Sequence, residues 1–337
     1  MEEEITMDQE KPIVAILQPR GTNTWHVYRG LHLGKKATDP LDKSYPYCRE
    51  YHTNKEVVEA VARGDARFGI VAIETLRGTV FETMDAIIDV QISSSDNQPR
   101  LSIVEELRVP ISHALLAAHP YALHEIKCVR SHEQALIQCD GWLNREIPHA
   151  KRESRPSTMY AAEELKSESI PGVAAIGDKE FARQRGLSVL RERIEDNPSN
   201  MTRFLQLMHV NPDWGQIGLR TPDDGYRTAI LAHLVNEPGA IYNLLEPLAR
   251  RKLNVTNGVE KRPTRRHLGE YVFWVEFLGY TNEPEVAAAI NEMRSRTAGL
   301  HCLGSFGITH MDPWGKILFP KGRTFYYPKE PGQEHYA

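Results

Sequence analysis

Residues 227–306 limit the possible fold more than any other stretch of this chain. Residues 227–235 read as a strand. Over 240–252, Ile241, Leu244, Leu245 and Leu248 recur at i, i+3, i+4 and i+7, which places apolar groups along one helical face. A strand at 253–260 precedes another at 270–278, built around Val272, Phe273, Trp274, Val275 and Phe277. Val286, Ala289, Ile290 and Met293 then mark a helix over 284–296, and a last strand covers 300–306. The order βαββαβ in about 80 residues predicts a split-βαβ sandwich, with both helices on one face of an antiparallel sheet.

A chain of 337 residues has room for one or two further units. Residues 12–18 (PIVAILQ) read as a buried strand that ends at Pro19 and Gly21, and 69–74 (GIVAIE) as another. Between them, 55–63 has helical spacing and stops at Gly64, a C-cap position. That order predicts a βαβ unit and a largely parallel sheet. Strands are predicted within 102–118 and at 127–130, 172–177, 187–194 and 202–208, and helices at 133–145, from Thr158 to Lys166, and at 179–185. Residues 33–52 are polar, with two prolines, and read as an insertion. The chain thus divides into a tail (1–11), an α/β region (12–210), a Gly/Pro/Asp-rich linker (211–225), the βαββαβ unit (226–306) and a tail without regular structure (307–337).

Composition excludes several classes. Hydrophobic residues at 41% and charged residues at 26% argue against disorder or a fibre. A net charge of −4 supplies no general attraction to nucleic acid or an anionic membrane, and no apolar run reaches membrane-spanning length. The acidic start MEEEITMDQEK lacks the apolar centre of an export signal, so a cytoplasmic location is expected. The four cysteines, Cys48, Cys128, Cys139 and Cys302, show no zinc spacing and are expected as free thiols. The fourteen histidines make no H-E-x-x-H, and no G-x-S-x-G elbow is present, so neither a metal site nor a serine hydrolase is expected.

Small polar residues mark helix starts. Ser131-His132-Glu133-Gln134 follows a strand and opens a helix, and Ser157-Thr158 does the same. Free N–H groups at a helix start attract carboxylates, and hydroxyls add donors. S-x-x-Q is equally a capping box that serves stability alone. Thr202 opens a strand, for which β-propensity is sufficient reason. Lys261, Arg262, Arg265 and Arg266 form a basic run too short to indicate nucleic acid.

These residues resemble the prephenate dehydratase family over 12–306. The matching blocks are S-H-E-Q-A-L-I-Q-C at 131–139, S-T-M-Y-A-A at 157–162, A-A-I-G at 174–177 and I-E-D-N-P-S-N-M-T-R-F at 194–204. The C-terminal unit resembles an ACT regulatory domain, with N-E-P-G-A-I at 236–241 and V-E-K-R-P at 259–263. The resemblance implies an α/β, bilobed catalytic region of the type II periplasmic-binding-protein kind, with its active site between two lobes. It implies conversion of prephenate to phenylpyruvate, carbon dioxide and water without a cofactor. Thr202 would be the catalytic hydroxyl. Ser131, Gln138, Ser157, Thr158, Arg203 and Phe204 would contact substrate, as would Gly21 and Thr22 after the first strand and Glu74 and Thr75 after a later one. Phenylalanine as effector would meet Asn236, Pro238, Gly239, Ala240 and Ile241, together with Glu260, Lys261, Arg262 and Pro263. A homodimer or homotetramer is expected, without nucleic-acid or membrane partners.

The chain departs from the family in its first lobe. Gln18 precedes Pro19 where glycine is usual, and Ile73-Glu74-Thr75-Leu76-Arg77-Gly78 is one residue shorter than the family loop and lacks its asparagine. Two alternatives follow: a prephenate decarboxylase that keeps the hydroxyl, or a non-catalytic amino-acid sensor. No chorismate mutase segment is expected before residue 12.

Overall fold

Period-two burial along two strands explains how the C-terminal unit attaches to the rest. The computed structural model describes residues 13–18, 22–33, 48–93, 100–168, 170–210, 225–265, 270–314 and 316–318. Lobe 1 starts with β1 (Val14–Leu17), which runs parallel to both β2 (Cys48–Tyr51) and β3 (Phe68–Thr75). Helix α1 (Asn23–Tyr28) follows β1, and α2 (Asn54–Arg63) joins β2 to β3. Thr53 caps α2 by accepting the Glu56 N–H, and Gly64 ends it at φ +81°. Then come β4 (Gly78–Thr79), α3 (Phe81–Ile92) and β5 (Leu101–Pro110).

Lobe 2 contains β6 (Ala114–Ala117), β7 (Cys128–Ser131), α4 (Glu133–Gln138), α5 (Asp140–Glu146), β8 (Lys151–Ser154), α6 (Thr158–Glu168), β9 (Val173–Gly177), α7 (Lys179–Arg185) and β10 (Ser188–Glu192). Its sheet has the order β10-β6-β9-β7-β8. The chain then returns to lobe 1 as β11 (Met201–His209), antiparallel to both β3 and β5. Both lobes are therefore mixed sheets rather than largely parallel ones. The architecture is α/β and bilobed. Among the described residues, no helix is long and apolar enough to cross a membrane.

The C-terminal unit is β12 (Arg227–His233), α8 (Ala240–Arg250), β13 (Val255–Pro263), β14 (Tyr271–Leu278), α9 (Pro284–Ser295) and β15 (Gly299–His310), the βαββαβ order read from the sequence. Its sheet is not separate. Gly307–His310 of β15 pair in parallel with Glu105–Arg108 of β5, which makes one ten-stranded sheet of lobe 1 and the C-terminal unit. Alternate residues of the unit's strands face opposite ways. Ile230, Ala232, Phe273, Val275 and Phe277 pack on α8 and α9, whereas Ala229, Leu231, Val272 and Trp274 share a core with Met84, Ile87 and Ile88 of α3. The unbroken apolar run at 272–275 exists because both faces are covered.

Several expectations need correction. Residues 48–51, placed in an insertion, are the edge strand β2; residues 34–47 lie outside the described residues, as do 211–224 of the linker. Residues 307–310 of the supposedly irregular tail continue β15. The helix expected over 133–145 breaks at Cys139 into α4 and α5. Helices α1 and α3 were not foreseen, because burial nearly all round leaves neither a single apolar stripe. In α3, Thr83 to Ile88, Gln91 and Ile92 are all buried between lobe 1 and the C-terminal sheet, which erases the helical period.

Gly304 lies where β15 crosses onto lobe 1. Its φ is +125°, and a Cβ there would stand 2.5 Å from the Ile103 carbonyl oxygen. Gly304→Ala should therefore destabilise the protein by about 1–3 kcal/mol, measured by denaturant unfolding. An unchanged midpoint would show that this seam is not tightly packed.

Candidate active site

The chain crosses between the lobes at 111–113 and again at 193–200, and the two crossings are bonded together. The Ile111 N–H donates to the Asn200 carbonyl (2.8 Å), and the Ile194 N–H to the His113 carbonyl (3.0 Å). The His113 N–H donates to Glu195 Oε2 (2.8 Å). Beside this double crossing is a cavity of about 360 Å³ whose walls come from both lobes.

Seven of the residues expected to hold substrate meet there: Thr22, Thr75, Gln138, Ser157, Thr158, Thr202 and Phe204. Thr202 and Phe204 are one period-two pair on β11, so both turn to the same side. Ser157 caps α6, with its Oγ accepting the Tyr160 N–H (3.0 Å), and its own hydroxyl hydrogen remains available to a ligand. Capping and ligand contact are thus compatible at this helix start. The Thr22 hydroxyl is buried without a hydrogen-bond partner among the described residues.

Three expected residues lie elsewhere, and Gly21 falls outside the described residues. Ser131 is fully buried at the end of β7 and donates its hydroxyl to the Ile176 carbonyl (2.8 Å). It does not cap α4 either; His132 does, its Nδ1 accepting the Gln134 N–H (3.3 Å). Arg203 and Glu74 do not line the cavity: Arg203 alternates with Thr202 and Phe204 on β11, and a bulge in β3, where Arg203 pairs with Glu74 but Phe204 with Ala72, turns Glu74 away from the wall that Ala72 and Thr75 share. Arg203 and Glu74 pair with each other (2.7 Å). Arg203 also binds Glu106 of β5 (2.8 Å) and Glu276 of β14 (2.9 Å), so it joins lobe 1 to the C-terminal unit. Arg227 adds a contact to Glu106 (3.1 Å), as does Arg108 (2.8 Å). Burial pushes the Glu106 carboxyl up, but Arg203 and Arg227 outweigh it and hold the group below its ordinary value of 4.5.

The sequence reading missed His113, Asn23, Asp178 and Pro313, which also line the cavity. His113 lies in the first crossing, outside any helix or strand pattern, so no period marked it. Its Nε2 is 2.7 Å from Gln138 Oε1. Burial lowers its pKa against the opposing influence of Gln138 and Glu195, so the ring is neutral at pH 7 and Nε2–H is the donor. Gln138 then presents its amide N–H groups as donors. Asp178 had a readable sign: it follows a strand and caps α7, accepting the Phe181 N–H (2.8 Å). Among the described lining residues there is no lysine or arginine, and Asp178 is the one carboxylate. The walls consist chiefly of hydroxyl and amide donors with an apolar floor, a lining suited to neutral hydrogen bonding of carboxylates.

In the C-terminal unit, His233 lies opposite Val272 and Val272 opposite Arg262, so segments 236–241 and 260–263 flank the same end of the sheet. Gly239 has φ +85° ahead of α8, and Asn236, Pro238 and Ile241 are exposed, while Ala240 is half-buried. Ile241 therefore does not share the buried face with Leu244 and Leu248. The second segment is partly committed. Arg262 makes a bidentate pair with Asp85 of α3 (2.7 and 2.8 Å), Glu260 accepts the Thr79 hydroxyl (3.4 Å), and the Lys261 ammonium lies 3.6 Å from the Tyr271 ring centroid. Arg262 is thus a strut to lobe 1 rather than a free ligand group.

A family model for prephenate dehydratase matches residues 14–212. The bifunctional chorismate mutase/prephenate dehydratase of Pseudomonas aeruginosa is 33% identical over 254 residues, which are 74% of this chain and 64% of that protein. This chain thus spans under two thirds of the bifunctional relative. The prephenate dehydratase of Mycolicibacterium vanbaalenii is 30% identical over 304 residues, 88% of this chain and 91% of that one. Among solved structures, prephenate dehydratase from Arthrobacter aurescens in complex with L-Phe superposes with a TM-score of 0.72 at 28% identity, covering 88% of this chain and 89% of that one. The Staphylococcus aureus enzyme, at 22% identity and a TM-score of 0.68 over 87% of this chain and 99% of that one, shares the fold.

Removing Arg203 leaves Glu106 and Glu276 buried without their main counter-charge. Arg203→Gln should cost about 3–5 kcal/mol in unfolding free energy at pH 7. Because the Glu106 carboxyl is held low, the stabilisation is full above pH 4.5 and is lost as pH falls through the lower folded value. Wild type and variant should converge in acid. A constant gap down to low pH would contradict the charge assignment.

Proposed function

Since the chain belongs to the prephenate dehydratase family, we propose that its cleft converts prephenate to phenylpyruvate, carbon dioxide and water. The observation that carries this is the meeting of Thr202 from lobe 1 with Ser157, Thr158 and Gln138 from lobe 2 around one cavity whose described lining residues include no lysine or arginine. Prephenate has two carboxylates and a ring hydroxyl opposite the ring carboxylate. Loss of that carboxylate as carbon dioxide sends an electron pair through the diene, and the C4 hydroxyl leaves as the ring becomes aromatic. The protein must hold the carboxylates, exclude water and help hydroxide depart.

Each task has a group here. The start of α6, with Ser157 and Thr158, offers N–H and O–H donors to a carboxylate, and its eleven-residue helix contributes a favourable dipole. Gln138, set by neutral His113, offers a further pair of donors. Phe204 and Ile111 give the ring an apolar seat. Thr202 donates to the departing oxygen, where charge develops only in the transition state. Thr75 takes the place of the family's asparagine on the cavity wall, and the Arg77 N–H donates to its Oγ1 (3.2 Å), which tightens the shortened loop.

We assign phenylalanine as effector to the Asn236–Ile241 corner, where Gly239 at positive φ lets a ligand approach backbone. Two copies paired through this unit, as a homodimer or homotetramer, would complete that site, and the setting is cytoplasmic. An inhibitor must bind the less active arrangement more tightly. Arg262–Asp85 and Arg203–Glu276 provide the physical links from that unit to lobe 1.

Three outcomes test this reading. Thr202→Ala should lower turnover by about two to three powers of ten, with Thr202→Ser retaining much of it; full activity in the alanine variant would remove Thr202 from the mechanism. Mass spectrometry of the wild-type product should show loss of carbon dioxide and water together, whereas loss of carbon dioxide alone would make Thr75 and its short loop the mark of a decarboxylase. Calorimetry should show phenylalanine binding that Gly239→Val removes. Wild type without phenylalanine binding would leave the C-terminal unit as a dimerisation module.

A further inference from the structure

The segment after β15 does not leave the molecule. Met311 is fully buried in the lobe 1 core with Ile16, Trp25 and Phe204, and its N–H donates to the Arg108 carbonyl (2.9 Å). A tight turn follows. Asp312 Oδ1 accepts the N–H groups of Trp314 (2.9 Å) and Lys316 (2.8 Å), and Met311 forms a bridge with Ile317. This turn pushes Pro313 into the cavity wall and carries Trp314 across to lobe 2. There the indole N–H donates to Asp178 Oδ2 (3.1 Å), and the Lys179 ammonium lies 4.7 Å from the ring centroid.

Asp178 is the one carboxylate among the described residues lining a cavity that we read as an anion site. Its Oδ1 is committed to the Phe181 N–H, and His26 Nε2 of lobe 1 is 4.0 Å from that same oxygen, beyond hydrogen-bond length. Trp314 satisfies the other oxygen, Oδ2, of this cavity-lining carboxylate. We propose that the strap Met311–Trp314 completes the substrate site, with Pro313 as a wall and Trp314 as a positioning residue that keeps the Asp178 carboxylate occupied and away from the substrate's anionic groups while tying lobe 2 to lobe 1. This rests on the reading of the cleft as a prephenate site. It also gives the tail a role within the catalytic region, although it follows the C-terminal unit in sequence.

The test uses the full chain and compares wild type, Trp314→Phe and Trp314→Phe with Asp178→Asn. Phenylalanine keeps an aromatic ring near Lys179 but has no N–H to donate. With a bare Asp178 oxygen in the cleft, Trp314→Phe should raise the KM for prephenate about tenfold, the effect of one hydrogen bond to a charged group, with kcat within about twofold. Adding Asp178→Asn removes the charge, keeps an oxygen for the Phe181 N–H, and should return KM to within about threefold of wild type. An unchanged KM in Trp314→Phe, or a raised KM that Asp178→Asn fails to lower, would overturn the proposal. Hydrogen exchange without substrate supplies the second arm. The Phe181 amide should exchange at least about threefold faster in Trp314→Phe than in wild type, because its acceptor is less firmly held. If wild type proves inactive on prephenate, the functional reading fails while this arm still judges the strap, and equal exchange rates would reject it.

Discussion

Everything at the centre of this molecule depends on the two faces of β11. On one face, Thr202 and Phe204 enter the cleft; on the other, Arg203 gathers Glu74, Glu106 and Glu276. A strand cannot move one set without the other. Glu106 is fully buried, and its two oxygens are shared among three arginines from β5, β11 and β12. A cluster like this is a poor source of net stability compared with apolar packing, but it tolerates few arrangements. It therefore sets the position of the C-terminal unit relative to the strand that carries Thr202.

The same geometry explains what could be read from the sequence. The βαββαβ unit was legible because each of its helices has a single apolar face, and the lobe 2 half of the site because its helix starts carry small hydroxyl residues. Assigning Thr202, Arg203 and Phe204 together to substrate asked three consecutive strand residues to face one way. The alternation rule separates them, whereas Glu74 is set apart from Thr75 at a bulge in β3 that no period marks. Ser131 shows a different limit: Ser131-x-x-Gln134 reads as a cap, yet the chain enters the helix one residue later, and the buried hydroxyl satisfies a sheet carbonyl instead. Helix α3 was hidden because it is covered on both sides. His113 and Trp314 were hidden because turns and crossings have no period, and their importance arises only when distant segments meet.

The electrostatics of the cleft follow from these placements. With no cation among the described lining residues, a carboxylate in this cleft would be held by donors fixed in place before it arrives, and neutral His113 keeps one of them, Gln138, oriented. In the proposed reaction, such fixed dipoles would need no reorganisation as the ring carboxylate leaves and the hydroxyl departs. Asp178, the one carboxylate among the described lining residues, has its oxygens occupied by the start of helix α7 and by Trp314. The reaction class, the neutral donor set and the compensation of Asp178 are thus one argument about charge in a partly desolvated space.

The most direct measurement is the ultraviolet absorbance of phenylpyruvate formed by the purified full chain from prephenate, with and without added phenylalanine. Steady production that phenylalanine slows is the predicted result. Absence of phenylpyruvate from a folded protein would contradict the account of this cleft as a dehydratase site.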